Sequence, residues 1–429
     1  MEQAFLLKSV HVHDPEGPWH ERVVDLRIDN GRIEDVGINL DAGNARVLHV
    51  EGSHVSTAWI DAQVHFRDPG LETKEGLASG LRAAAAGGFG AVGILPSTHP
   101  CMDNTAAVTS LLAKATRAHA DGVPTRALPL AHVSEGGRGQ QITEMHDLHN
   151  AGSVAFTDDA PLDRVGLLQR ALTYSEVHGK AVMDLPLDHD LNAGGVMHEG
   201  PTSTAMGVTG IPSEAESLRI SRDLDILRYA GGHLHFSVIS SADSVQHVRE
   251  AKRAGLHVTC GTTALHLAYC DEDLQGFVGT LRVSPPLRSD ADRAALREAV
   301  LDGTVDVVTS DHRPEDLETH DVEFMLSPDG VAGLPSAFAL ALSGLTAHNG
   351  NSDAALRALL RAFTSGGHKV LSQTSGGVTK GSVANLTWFH PKAAHVPHIH
   401  TRGVNLPPLP ADALGQVLGV FVEDRAWVA

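Results

Sequence analysis

Cysteine is scarce in this chain, and so is positive charge. The three cysteines, Cys101, Cys260 and Cys270, form no CxxC pair and are too few for a closed disulfide framework. They are expected to be free thiols packed in the core of a protein in a reducing cytosol. Lys and Arg number 33 against 52 Asp and Glu, a formal net charge of -19. That balance argues against nucleic acid or an anionic membrane surface as a partner. A signal peptide is not expected either, because "MEQAFLLKSVHVHD" has no basic start and no long apolar stretch. The most apolar run, "LPSAFALALSGLTA", is broken by Pro, Ser and Gly and is shorter than a membrane span. "GGRGQQ" is glycine-rich but lacks the Lys-Ser/Thr pair of a phosphate loop, and it reads as a turn. The expectation is a soluble, cytoplasmic protein.

What is present is length and alternation. At 429 residues the chain is too long for one ordinary core. Both ends are strand-like. "FLLKSVHVHD", "ERVVDLRIDNGRIEDVG" and "ARVLHVEGSHVS" open the chain, with "DNG" as a hairpin turn, and "VANLTWFHP" and "GQVLGVFVEDRAWVA" close it. Residues 1–57 and 376–429 are therefore expected to build one small β domain, of sandwich type, from both termini. Between them, residues 58–375 alternate helix-like and strand-like pieces, such as "LDRVGLLQRALTYSEVHG" before "KAVMDLPL" and "DADRAALREAVLDG" before "VDVVTSDH". That pattern predicts an α/β protein with a (β/α)8 TIM-like barrel, whose polar residues gather where the strands end.

One strand end carries the chemical question. Residues i and i+2 of a strand share a face, so His-x-His can aim two imidazoles at one metal. In "WIDAQVHFRDPG" the first of those positions is Gln63 and only His65 remains.

The stretch "HFRDPGLETKEGLASGLRAAAAGGFGAVGILPSTHPCMDN" resembles the dihydroorotases of the amidohydrolase superfamily, and so do "VAFTDDAP", "GIPSEAESLRISRD", "VSPPLRSDADRAALREAVLDGTVDVVTSDHRPED" and "SPDGVAGLPSA". The likeness runs over almost the whole chain. It implies a metal, usually zinc, that polarises a ring amide and makes hydroxide available near neutral pH, with an aspartate moving the proton. Carried over residue by residue, it implies that three of four histidine ligands are replaced, by Gln63, Leu185 and Val238. His65 is retained, and so is the proton-shuttling Asp311. An acidic ligand falls at Asp158 or Asp159, with Asp159 preferred. The position of Leu185 depends on aligning "VMDLPLD" on Asp188, and His189 could reach the pocket if that loop is rerouted. Leu and Val have no electron pair to give zinc, and an amide oxygen is a poor ligand for it. The substrate positions it implies are Arg67, retained for a carboxylate, Ser97 and Ser284 in place of two Asn, and Glu315 in place of a His, a charge expected to repel an anionic substrate.

The expectation for cofactors is none tightly bound, with one weakly held divalent metal, zinc or manganese, on His65, Asp159 and Asp311 as the alternative. Without metal, Asp311 is expected to pair with His65 or His312. Three other His-x-His pairs, His11/His13, His233/His235 and His398/His400, are expected to be surface or hydrogen-bonded strand histidines, with His235 a candidate for a relocated metal site. His11/His13 and His398/His400 are placed away from the barrel mouth. Three functions stay open. The first is a non-catalytic dihydroorotase homologue acting as structural partner of aspartate transcarbamoylase, in a homo- or hetero-oligomer. The second is an active cyclic-amide hydrolase with an atypical single-metal site. The third is a binding protein that uses the old pocket, with Arg67 reading a carboxylate.

Overall fold

Strands of a closed parallel sheet are covered on both faces, and three of the central strands are buried over six consecutive residues: Trp59–Val64, Phe89–Ile94 and Val258–Thr263. In the computed structural model, which describes residues 4–429, these belong to one parallel eight-stranded sheet. Its strands follow chain order: Trp59–Val64, Phe89–Ile94, Arg126–Ala131, Ala155–Thr157, Ala181–Asp184, His233–Phe236, Val258–Thr263 and Val307–Thr309. Helices join successive strands, as right-handed parallel crossovers require. The sheet closes where Val64 bridges His312 in parallel and the His65 N–H donates to the His312 carbonyl at 2.8 Å.

Asp61 reinforces that seam. Its carboxylate accepts from the Ser310 N–H at 3.0 Å and from the Thr309 hydroxyl, tying the first strand to the last. Burial pushes its carboxyl up to about 6, against the pull of those hydrogen bonds.

Both termini meet in a second sheet of eight strands. Its order runs Arg425–Val428, Leu414–Val422, Asn385–Ala394, His54–Thr57, Phe5–His13, Val23–Asp29, Arg32–Gly37, and Arg46–Leu48 also pairs with Phe5–His13. Trp59 sits where the two sheets meet, its ring centroid 4.7–6.1 Å from those of Phe89, Phe338, Phe363 and Phe389. Gly88 makes that packing possible. It has φ 97°, and a Cβ there would stand 2.5 Å from the Trp59 ring.

The apolar run singled out in the sequence forms the buried helix Ala337–Asn349, 13 residues long. No helix among the described residues is long and apolar enough to cross a membrane. One placement differs from expectation. Residues 400–405, in the loop between the strands Asn385–Ala394 and Leu414–Val422, do not stay with the terminal sheet but return to the barrel. The His400 carbonyl accepts from the Ser79 hydroxyl at 3.2 Å. The fully buried Asn405 donates to the carbonyls of Arg313 and Gly330 at 2.9 and 3.0 Å and accepts from the Glu315 N–H at 2.8 Å. Buried backbone groups of an irregular loop need partners, and this returning segment supplies them.

Candidate functional site at the barrel mouth

The mouth residues stand on strand ends with a shared local device. The Thr157 hydroxyl accepts from the Asp159 N–H at 3.0 Å, and the Thr309 hydroxyl from the Asp311 N–H at 3.1 Å. On the first strand the His65 ring nitrogen Nδ1 accepts from the Arg67 N–H, also at 3.0 Å. Such turns over two residues favour a left-handed residue at their end. Arg67, Asp159 and Asp311 have φ 59°, 52° and 44°. A non-glycine residue held there carries about 1–3 kcal/mol of strain, and such residues cluster at functional sites.

Arg313, which sequence reasoning passed over, organises the charges. Its guanidinium grips Asp159 bidentately, Nη2 to Oδ1 at 2.6 Å and Nη1 to Oδ2 at 3.3 Å, while Nε donates to Asp311 Oδ1 at 3.2 Å. The fork geometry suits a planar guanidinium. Burial works to raise the Asp159 carboxyl, yet the Arg313 charge and hydrogen bond, His65 and the Ser97 hydroxyl together hold it below the usual carboxylate range. Burial works to lower Arg313, and the two aspartates overcome it and raise the guanidinium further. The available signal was its place in "TSDHRPED", between Asp311 and Glu315.

The other implied positions are also occupied by protein contacts. The Gln63 amide N–H donates to Asp311 Oδ1 at 2.9 Å. Asp311 therefore pairs with Gln63 and Arg313, correcting the expected pairing with His65 or His312; buried His312 faces Glu75 instead, at 3.4 Å. The His65 Nε2–H donates to the Ser97 carbonyl at 2.9 Å. With Nδ1 accepting from Arg67, neither ring nitrogen of His65 offers a free lone pair. Burial, and then the Arg67 charge, push this imidazole down to about 3, so it is neutral at physiological pH.

Arg67 donates to Glu315 Oε1 at 2.6 Å, and the Lys74 ammonium donates to Glu315 Oε2. The expected repulsion by Glu315 is thereby corrected: two cations hold it, and the Arg67 fork is turned toward protein. Asp158 points elsewhere, accepting from the Ser134 N–H at 2.9 Å and facing His132 Nδ1 at 3.3 Å. Val238 lies just past the sixth barrel strand and is 1% exposed. Leu185 follows the fifth strand and is half-buried, and His189 is exposed. Ser284 is half-buried in the loop before Pro285, and among the described residues no hydrogen bond joins it to the charged group. His235 is fully buried, its Nδ1 facing the Thr259 hydroxyl at 2.9 Å and its Nε2 without a partner.

A metal of the kind the resemblance implies does not fit these residues. It needs deprotonated, unshared donors at about 2.0–2.2 Å from one point. Here one imidazole is fully hydrogen-bonded, and a guanidinium lies against both carboxylates. Among the described residues, His65, Asp159 and Asp311 do not form a group whose ligand atoms converge.

Solved structures place the fold. The L-hydantoinase (dihydropyrimidinase) from Arthrobacter aurescens superposes with a TM-score of 0.82 at 18% identity, covering 99% of this chain and 96% of that one. The dihydropyrimidinase from Brevibacillus agri gives 0.79 at 20% identity, covering 99% and 95%. The fold is thus that of these two proteins. Residues 53–244 match the dihydro-orotase-like family model. A dihydroorotase from Pelotomaculum thermopropionicum is 37% identical over 388 residues, 90% of this chain and 88% of its own. One from Syntrophus aciditrophicus is 33% identical over 426 residues, 98% of each chain. This chain belongs to the dihydroorotase family.

Proposed function

We propose that this protein is a non-catalytic dihydroorotase homologue of pyrimidine biosynthesis, cytoplasmic, and a structural partner of aspartate transcarbamoylase. The observation that carries the loss of catalysis is the Arg313 guanidinium bound to both Asp159 and Asp311. A proton shuttle must exchange its proton with substrate, and a metal ligand must present a lone pair; here one fixed internal cation is hydrogen-bonded to both carboxylates and stands where a metal ion would. The replacements at Gln63, Leu185 and Val238 support the same reading.

The partner rests on the resemblance, and one surface supports it. Leu317, Val322, Met325 and Leu326 are exposed along one short segment, and half-exposed Phe277 stacks edge-on against Phe324 at 5.8 Å between centroids. Several exposed apolar side chains along one segment are what a partner could cover.

Two measurements test the proposal. Dihydroorotate ring opening, followed at high protein concentration with added zinc, is expected at the background rate; turnover that a chelator abolishes overturns it. Co-purification with aspartate transcarbamoylase from the same genome is expected for the native chain and lost in Leu326→Asp. A native chain that never associates with the transcarbamoylase overturns the partnership.

A further inference from the structure

The terminal sheet carries a group of side chains that the barrel mouth does not explain. His11 and His13 share one face of the strand Phe5–His13, which is what a two-residue spacing dictates. The strand His54–Thr57 lies parallel beside it, in a register that sets His54 opposite His11. The three rings stand 4.9–5.0 Å apart between centroids. One nitrogen from each lies within 4.8 Å of the others, and no other such group of His, Cys, Asp or Glu occurs among the described residues. The expectation of surface or hydrogen-bonded strand histidines for His11 and His13 does not include His54 as a third imidazole beside them.

Glu21 completes the group. Its Oε2 is 3.1 Å from His11 Nε2 and its Oε1 is 3.9 Å from His13 Nδ1. It reaches there from a left-handed backbone, φ 58°, pinned where the Glu21 N–H and the Arg22 carbonyl both bond to Val12 at 2.9 Å. A carboxylate facing ring nitrogens is the usual outer partner that orients metal-binding imidazoles. The group lines a cavity of about 790 Å³ against the helices Ala337–Asn349 and Ser352–Arg361.

We propose that His11, His13 and His54, oriented by Glu21, bind one divalent transition-metal ion of the zinc type, with an open position toward this cavity. Three imidazoles with a nearby carboxylate are the donor set such borderline ions prefer. His13 Nε2 and His54 Nδ1 are hydrogen-bonded to each other at 2.7 Å. A neutral imidazole offers one lone pair, so a metal held between His13 and His54 requires the proton these two rings share to move to an outer ring nitrogen. Tetrahedral ligands about 2.0–2.1 Å from zinc stand about 3.3 Å apart, so binding parts the two rings by roughly 0.6 Å. Arg297, Arg357 and Lys392 on the cavity wall work against a cation, and Glu21, Asp353 and Asp412 work for one.

The test uses the full chain, stripped with a chelator and titrated with zinc chloride by calorimetry and with cobalt(II) by its visible absorption. One equivalent is expected, with tetrahedral cobalt bands. His13→Ala and His54→Ala are each expected to weaken binding at least tenfold, and His13→Gln and His54→Gln check the result if the alanine variants fold poorly. Anomalous scattering at the zinc edge locates the ion. No bound equivalent, binding that survives these substitutions in folded protein, or an anomalous peak at the barrel mouth overturns the proposal.

Discussion

The barrel mouth and the histidine group of the terminal sheet are opposites. At the mouth, acids and a histidine stand where a metal would be held, yet both nitrogens of His65, both oxygens of Asp159 and one oxygen of Asp311 have protein partners. In the terminal sheet, three imidazoles converge with at least one nitrogen pair bonded only to each other. The lesson concerns lone pairs. Which residues a site contains matters less than whether their electrons are already engaged, and a single guanidinium is enough to engage two carboxylates.

The sharpest way to break this comparison is to remove the guanidinium. Arg313→Ala leaves Asp159 and Asp311 buried without their cation, and breaking a buried pair from one side typically costs about 3–5 kcal/mol. Urea denaturation of the variant reads that loss; a change under 1 kcal/mol would show that Arg313 is not the neutralising partner. Next in size is a reversal. Gln63→His, Leu185→His and Val238→His combined with Arg313→Ala are expected to bind zinc at least about 100-fold more tightly than the three histidine changes alone, given that one lost supporting contact already costs about 10–100-fold. Equal affinity in the two variants would remove Arg313 from the account.

Acid provides the third, smaller effect. His65, His13 and His54 are held near 3 in the folded chain, against 6.5 for the free imidazole. A lowered histidine contributes stability that is complete above 6.5 and lost as pH falls from 6.5 toward 3. Between pH 7.5 and 5 the deeply buried His65 contributes a loss of roughly 2 kcal/mol, and His13 and His54, which share part of their shifts, add to it in the same direction. Thermal unfolding across that range checks it. Gln63→Ala is the mildest change, about 1 kcal/mol, since Asp311 keeps Arg313 when the amide is gone. A loss as large as that of Arg313→Ala would make Gln63, not the guanidinium, the anchor of the mouth.

The alternation of helix and strand signals showed the barrel, and the β-rich ends showed that both termini contribute strands. Periodicity even placed His11 and His13 on one face. It could not place His54, which lies 41 residues after His13 in the chain and reaches it only through parallel pairing in one register. The same limit hid Arg313. Its neighbours in "TSDHRPED" were legible as motif residues, but its reach to Asp159, 154 positions away, depends on how the barrel closes. The return of residues 400–405 was invisible for another reason. A polar loop carries no periodic signal of where it goes, and only the unpaired backbone groups it satisfies give it a destination.

Asn405 turns that loop into a strut. One side chain clasps three main-chain groups, at Arg313, Glu315 and Gly330, and thereby fastens the chain's last quarter-turn of sequence onto the segment that bears the internal cation. The terminal sheet and the barrel rim are therefore expected to unfold together, and Asn405→Ala is expected to loosen the charged lattice from outside without touching any residue in it.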